Sequence, residues 1–276
     1  MPNLRIVHDN VADTSSTLTA STTSGTLVAQ NMLNEYKTQV HRSTGTNVTY
    51  ELTWTTAVTV GCVALPATNL SGDALIRVQL YSQSNFTGLL EDTGQIFATP
   101  GLDLDMWDWS QPLNVNSFAY GGAAKTTVWF TNQQLIKSCR IILTDINNSV
   151  GYIDCARLVI GNYWEPEHTL ERGFEFGTVD MSTTSRADSG TLIADRGIVY
   201  ESISFNFAIL SDSDRSKLSQ ILRKLGTHRN FLLSAMPDDS SSAAKQDLII
   251  YGKRVNSMFS NQVYGYYKHS MQIVGW

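Results

Sequence analysis

The stretch from Val199 to Ala235 restricts the fold more than any other part of this chain. In its first part Val199, Ile203, Phe205, Phe207 and Ile209 share one parity, with Glu201 as the exception. Tyr200, Ser202, Ser204, Asn206 and Ala208 share the other. Side chains alternate across a strand, so this reads as a long strand with one buried face. Ser211 stands where an N-cap belongs, and Asp214 can reach back towards it. Leu218, Ile221, Leu222 and Leu225 follow the spacing of an apolar helical face. Asp212 and Asp214 suit the positive end of a helix dipole, Arg223 and Lys224 the negative end, and Gly226 the stop. A short apolar strand follows within Asn230–Ala235. The pattern predicts strand, one packed α-helix over about 212–225, then strand, and no other segment carries a comparable helical signal.

The remaining composition is that of a β protein: Ser, Thr and Asn are abundant, and Val, Ile, Thr and aromatics recur in short runs. At 276 residues one or two domains are expected. A net charge of -5 without any basic run argues against nucleic-acid recognition. No stretch approaches the roughly 18 apolar residues of a membrane helix. Met1–His8 lacks the apolar core of a signal peptide, so folding in a cytoplasm is the expectation. Cys62, Cys139 and Cys155 lie far apart inside apolar runs without metal-ligand spacing, and are expected to be buried free thiols.

In chain order, Leu4–Val7 predicts a first strand and the Ser/Thr-rich stretch Thr14–Thr26 a loop. Val48, Tyr50, Leu52 and Trp54 alternate with polar residues as a half-buried strand. Val58–Leu65 reads as a separate buried strand with a hard stop at Pro66. Leu75–Tyr81, Thr127–Phe130, Cys139–Leu143 and Gly151–Ile160 add further strands, and residues 82–126 are irregular apart from Gln95–Ala98. Gly161–Glu167 carries Gly, Pro and charge and is the best boundary. The expected division is an antiparallel β-sandwich over 1–164 and a mostly antiparallel sheet carrying the helix over 165–276.

Asn31–Leu33, Tyr50–Leu52, Val58–Leu65, Asn69-Leu70, Ala74–Tyr81, Cys139–Leu143 and Gly151–Leu158 together resemble, in their order, the galactose-binding-like (discoidin-like) jelly-roll sandwich. The junction Val159–Glu167 and the strand–helix–strand after it resemble the minor tail or distal tail (baseplate) proteins of long-tailed, siphovirus-like bacteriophages. That resemblance implies a structural virion protein with a tail-tube-like second domain. It implies a homo-oligomeric ring, a hexamer foremost, joining the tail tube protein to hub, tip or fibre proteins, with host-surface glycan contact through the first domain. It implies no cofactor. A ring needs strands that continue a sheet across subunits, and Val199–Ile209 and Tyr264–Val274 are the candidates. The first 30 or so residues suit an arm that orders on a neighbour. The alternative from a different class is a carbohydrate-binding module, or lectin, without a ring role.

Leu102–Trp109 is the most site-like stretch. Trp107 and Trp109 can stack on the apolar face of a sugar while Asp103, Asp105 and Asp108 accept hydrogen bonds from its hydroxyls. The same carboxylates suit Ca²⁺, and a structural loop covering the sandwich end is the plainest reading. Paired carboxylates for glycoside hydrolysis are present there too. The five histidines (His8, His41, His168, His228, His269) show no metal or catalytic spacing, and no nucleophile elbow or phosphate loop occurs, so an enzyme is not expected.

Overall fold

The computed structural model describes residues 4–99, 123–168, 170–171, 173–238, 246–263 and 266–276. In chain order its first strands are β1 (Arg5–Val7), β2 (Thr17–Ala20), β3 (His41–Arg42), β4 (Asn47–Thr68), β5 (Leu75–Tyr81), β6 (Leu89–Asp92) and β7 (Ile96–Phe97). Then come β8 (Ala124–Thr144), β9 (Asp154–Cys155), β10 (Val159–Gly161), β11 (Tyr163–Trp164), β12 (Glu175–Asp180), β13 (Thr183–Arg186) and β14 (Leu192–Asp195). The last elements are β15 (Val199–Leu210), the helix α1 (Asp212–Leu225), β16 (Phe231–Ser234), β17 (Ile249–Val263) and β18 (Tyr266–Gly275). Among the described residues the chain is mostly β, with antiparallel sheets, and α1 is its one long helix, as its patterning predicts.

A nine-stranded sheet is built on β4 and β8, which pair from Asn47↔Thr144 to Thr68↔Ala124. Each is one long strand where the sequence suggested two. The ladder between them is interrupted by register shifts, and such bulges bend a strand without ending it. Pro66 accordingly does not stop β4. It sits in the shift between Leu65 and Thr68, where no ladder bond needs its missing N–H. Nor is Thr14–Thr26 all loop: β2 lies within it and pairs with β4 from Thr17↔Thr53 to Ala20↔Tyr50, burying Leu18. A four-residue strand with one apolar side chain is too short for periodicity to reveal. The core holds Tyr50, Leu52, Trp54, Val78, Leu80, Ile141 and Leu143, closed by Met32 from a 3-10 turn over Ala29–Leu33.

The second sheet runs β11-β1-β16-β17-β18-β15-β12. Ser211 Oγ caps α1 by accepting from Asp214 N at 3.3 Å, and the Asp214 carboxylate accepts from Glu167 N at 3.0 Å. Gly226 ends the helix at a φ of 57°, a conformation that favours glycine. Leu218, Ile221, Leu222 and Leu225 bury their face among Phe205, Phe207, Met271 and Ile273. Each such side chain is worth about 1.5–3 kcal/mol of burial. The strands expected to continue a sheet across subunits, β15 and β18, are both interior, with β15 between β18 and β12 and β18 between β17 and β15. Among the described residues the edge strands of this sheet are β11 and β12. Between β12 and β15 the chain makes a separate two-stranded hairpin, β13–β14, whose residues are all exposed.

From the N-terminal segment, β1 pairs within the chain. β1 lies between β11 and β16 in the second sheet, with Ile6 opposite both Trp164 and Leu233. The two sheets meet across Val7, Cys62, Ala64, Val159, Leu232, Ile249 and Tyr251. Arg157, 1% exposed, donates to Tyr251 Oη at 3.0 Å and Asp13 Oδ2 at 2.7 Å. Lys125 Nζ donates to Glu201 Oε2 at 2.6 Å, to the Ile249 carbonyl at 2.7 Å and to the Gln246 carbonyl at 3.1 Å. Gly161 packs so closely here that a Cβ would fall 2.2 Å from the Asp9 carbonyl oxygen. The three cysteines are buried and free, as expected.

Candidate functional site

Alternation decides which side chains leave the nine-stranded sheet for solvent. Tyr50 and Leu52 on β4, Cys139 and Ile141 on β8, and Val78 and Leu80 on β5 point into the core. Thr49, Glu51 and Thr53, Arg140 and Ile142, and Arg77, Gln79 and Tyr81 therefore share the opposite face. Register turns these into rows. Asp92, Gln79, Arg140, Glu51 and Thr19 line up across β6, β5, β8, β4 and β2. Tyr81, Ser138, Thr53 and Thr17 form the next row, and Arg77, Ile142 and Thr49 the row on the other side.

Arg140 is the centre of this face. Its Nε donates to Glu51 Oε1 at 2.8 Å, and its Nη1 lies 3.5 Å from Tyr81 Oη. The guanidinium stands 4.9 Å from the centroid of the Phe86 ring, which meets Tyr81 edge-on at 5.8 Å. Cation–π attraction of this kind contributes about 0.5–1 kcal/mol at an exposed site. Phe86 has a φ of 59° and is the only non-glycine residue at positive φ among the described residues. Holding a bulky side chain there costs on the order of 1–3 kcal/mol. The strained backbone aims an aromatic ring at the guanidinium. Beside it, Arg77 grips Asp92 through Nε at 2.9 Å and Nη2 at 2.6 Å, and Gln79 adds a third bond at 2.9 Å. Arg77 first, then Gln79, holds the Asp92 carboxyl far below the usual carboxylate range, so it stays ionised in mild acid.

On the β2 side of Arg140 runs a shallow groove of about 530 Å³, lined by Thr19, Ala20, Ser21, Thr49, Glu51, Arg140 and Ile142. Its hydroxyls, carboxylate and guanidinium supply donors and acceptors, and Ala20 and Ile142 supply apolar floor. A second depression of about 340 Å³ on the seven-stranded sheet is lined by Glu175, Ser204, Asn206, Asn256, Ser270 and Gln272, among others.

No protein-family model matches the chain, and neither does any curated protein. Among solved structures, chitosan-binding module 1 from a Paenibacillus sp. IK-5 chitosanase/glucanase matches with a TM-score of 0.38 and 15% identity, over 56% of this chain and 100% of that one. A Streptococcus pneumoniae fucose binding module matches with a TM-score of 0.36 and 11% identity, over 55% of this chain and 94% of that one. CpGH89CBM32-5 from Clostridium perfringens, in complex with GalNAc-β-1,3-galactose, matches with a TM-score of 0.39 and 8% identity, over 56% and 100% respectively.

Trp107, Trp109, Asp103, Asp105 and Asp108 lie outside the described residues. The sequence reading did not single out Arg140, Glu51, Tyr81 and Phe86. Three of them sit in segments it read as strands, and their convergence depends on the pairing of β5 with β8 and β8 with β4, which no single segment reveals. The histidines do not converge. His41 Nδ1 meets Tyr50 Oη at 2.8 Å inside the sandwich, and His269 Nε2 meets Ser257 Oγ at 2.9 Å in the other sheet. No group of three or more His, Cys, Asp or Glu side chains placed to hold a metal occurs among the described residues.

Proposed function

We propose that the nine-stranded half of this chain binds carbohydrate in the groove beside Arg140. One observation carries the reading: the half-buried Phe86 ring, a guanidinium, a carboxylate and a run of hydroxyls converge on one surface, with Phe86 held at positive φ against the buried Tyr81 ring. A sugar offers an apolar C–H face to aromatic rings and hydroxyls to paired donors and acceptors. The proposed activity is binding, not turnover. The experiment is a glycan array followed by calorimetry on the best ligand. Arg140→Ala and Phe86→Ala should each weaken binding by tenfold or more, while Trp107→Ala/Trp109→Ala should leave it within about twofold. Loss only in the tryptophan pair moves the site to Leu102–Trp109, and silence across the array overturns the reading.

A second reading, the tail-tip ring subunit that the resemblance implies, is favoured by the edge of the other sheet. Among the described residues β12 has no partner on its outer side; Phe176 on it, Met181, Ile198 and Val199 beside it, and Leu192 and Ile193 on the following hairpin are exposed. Unpaired strand edges with apolar neighbours invite pairing with another chain. Light scattering of the full chain tests it: a closed oligomer that dissociates on Phe176→Asp supports assembly, and a monomer at all concentrations opposes it.

A further inference from the structure

The charges of the Arg140 face cancel within the face itself, and we infer that its ligand is an uncharged sugar chain. This rests on the carbohydrate reading and adds the class of carbohydrate. Two cations and two anions stand on the surface, and each is already matched. Arg77 is held by Asp92 through two bonds, and Arg140 by Glu51. Neither guanidinium is left over for the carboxylate of a sialic or uronic acid. An arriving carboxylate would lie close to Glu51 or Asp92, and displacing either one strips an arginine of a charge-assisted bond. The depressed Asp92 carboxyl cannot relieve the repulsion by taking up a proton at neutral pH. A protonated amino sugar meets the mirror obstacle in Arg77 and Arg140.

What remains open on the surface is neutral hydrogen-bonding capacity. Thr17 and Thr53 hydroxyls already meet at 2.7 Å, and Thr19 and Ser21 line the adjoining groove. Hydroxyls both donate and accept, as those of a neutral hexose do. The Asp92 carboxylate is saturated by Arg77, Gln79 and Gly94 N, whereas Glu51 meets Arg140 through Oε1 and keeps Oε2 for a sugar hydroxyl.

The test uses the full chain and matched oligosaccharides of equal length: neutral hexose or N-acetylhexosamine chains, and their sialylated or uronic-acid counterparts. The native protein should prefer the neutral member of each pair by at least tenfold. Glu51→Gln, which frees Arg140 from its partner while keeping the side-chain shape, should shrink that preference to threefold or less. Equal or tighter binding of the anionic member by the native protein overturns this inference and leaves the carbohydrate reading standing. So does an unchanged preference in Glu51→Gln. Absence of binding to every member overturns the carbohydrate reading and this inference with it.

Discussion

His269 should make the seven-stranded half acid-sensitive well above the range where carboxylates titrate. Its ring is buried between β15 and β17, 4.2 Å from the Phe259 centroid and 6.1 Å from that of Phe207. Nε2 meets Ser257 Oγ, but Nδ1 is buried with no partner, so a second ring proton has nothing to bond. Burial first, and the nearby positive charge of Arg254 second, hold the imidazole down to about 4. The unfolded chain carries an ordinary imidazole that titrates near 6.5. Between those values the unfolded state binds the proton that the folded state refuses. Stability is therefore lost as pH falls through that window and is regained as it rises. The gap amounts to about 2 kcal/mol at pH 5 and about 3 kcal/mol at pH 4, against almost nothing at pH 7.5. Urea denaturation at pH 7.5 and pH 5, on the native chain and on His269→Gln, isolates the effect from other groups. The stability difference between the two proteins should move by about 2 kcal/mol in favour of the variant at pH 5. A difference that stays constant within about 0.5 kcal/mol refutes the reasoning, because no buried neutral imidazole behaves that way.

Other expectations concern the contacts that join the sheets. Lys125→Met should cost about 3 kcal/mol, since it leaves the Gln246 and Ile249 carbonyls and Glu201 without the ammonium they share; thermal unfolding reads it. Removing residues 1–8 strips β1 from between β11 and β16, so amide exchange at Leu232 and Leu233 should accelerate by orders of magnitude even where the sandwich stays protected. Cys62, Cys139 and Cys155 should not react with a thiol reagent in the native protein, and all three should react in denaturant. Burial pushes the Cys155 thiol up to about 12 and the other two higher still. Gly161→Ala should destabilise the junction by several kcal/mol, because its methyl would meet the fixed Asp9 carbonyl rather than a flexible side chain.

What was legible in the sequence was whatever a local period could encode. The α1 helix follows its own cap, stripe and stop, and Ser211, the buried leucines and Gly226 all do what their spacing requires. The alternating faces of β4 and β5 were equally readable, and so was that of β15 from Ile203 to Phe207; Val199 and Ile209, expected on the buried face, are exposed, and a register shift after Phe207 turns Leu210 into the core in place of Ile209. Pairing was not. Nothing in Arg5–Val7 says that these three residues complete a sheet made of the last third of the chain. Nothing in Tyr50–Leu52 or Cys139–Leu143 says that Glu51 faces Arg140. Pro66 misled because its cost depends on whether a ladder bond is due at that residue, and the register shift there removes the requirement. Leu102–Trp109 is conspicuous in sequence because its aromatic and acidic residues are contiguous, whereas the Arg140 face collects one to three residues from each of five strands.

The place of β1 bears on the order in which the molecule can be made. Residues 5–7 leave the ribosome before the sandwich, whereas β11 is synthesised only after all of it and β16 only after the helix. Through most of translation this short apolar strand has no partner. The sandwich that follows it can fold meanwhile, since β2 to β10 pair among themselves. That folded body then holds β1 a short distance from its eventual slot, which shortens the loop still to be closed when β16 emerges. The second sheet thus closes last and around a strand that was waiting. A ribosome stalled before residue 231 should carry a compact sandwich whose first residues remain open to protease.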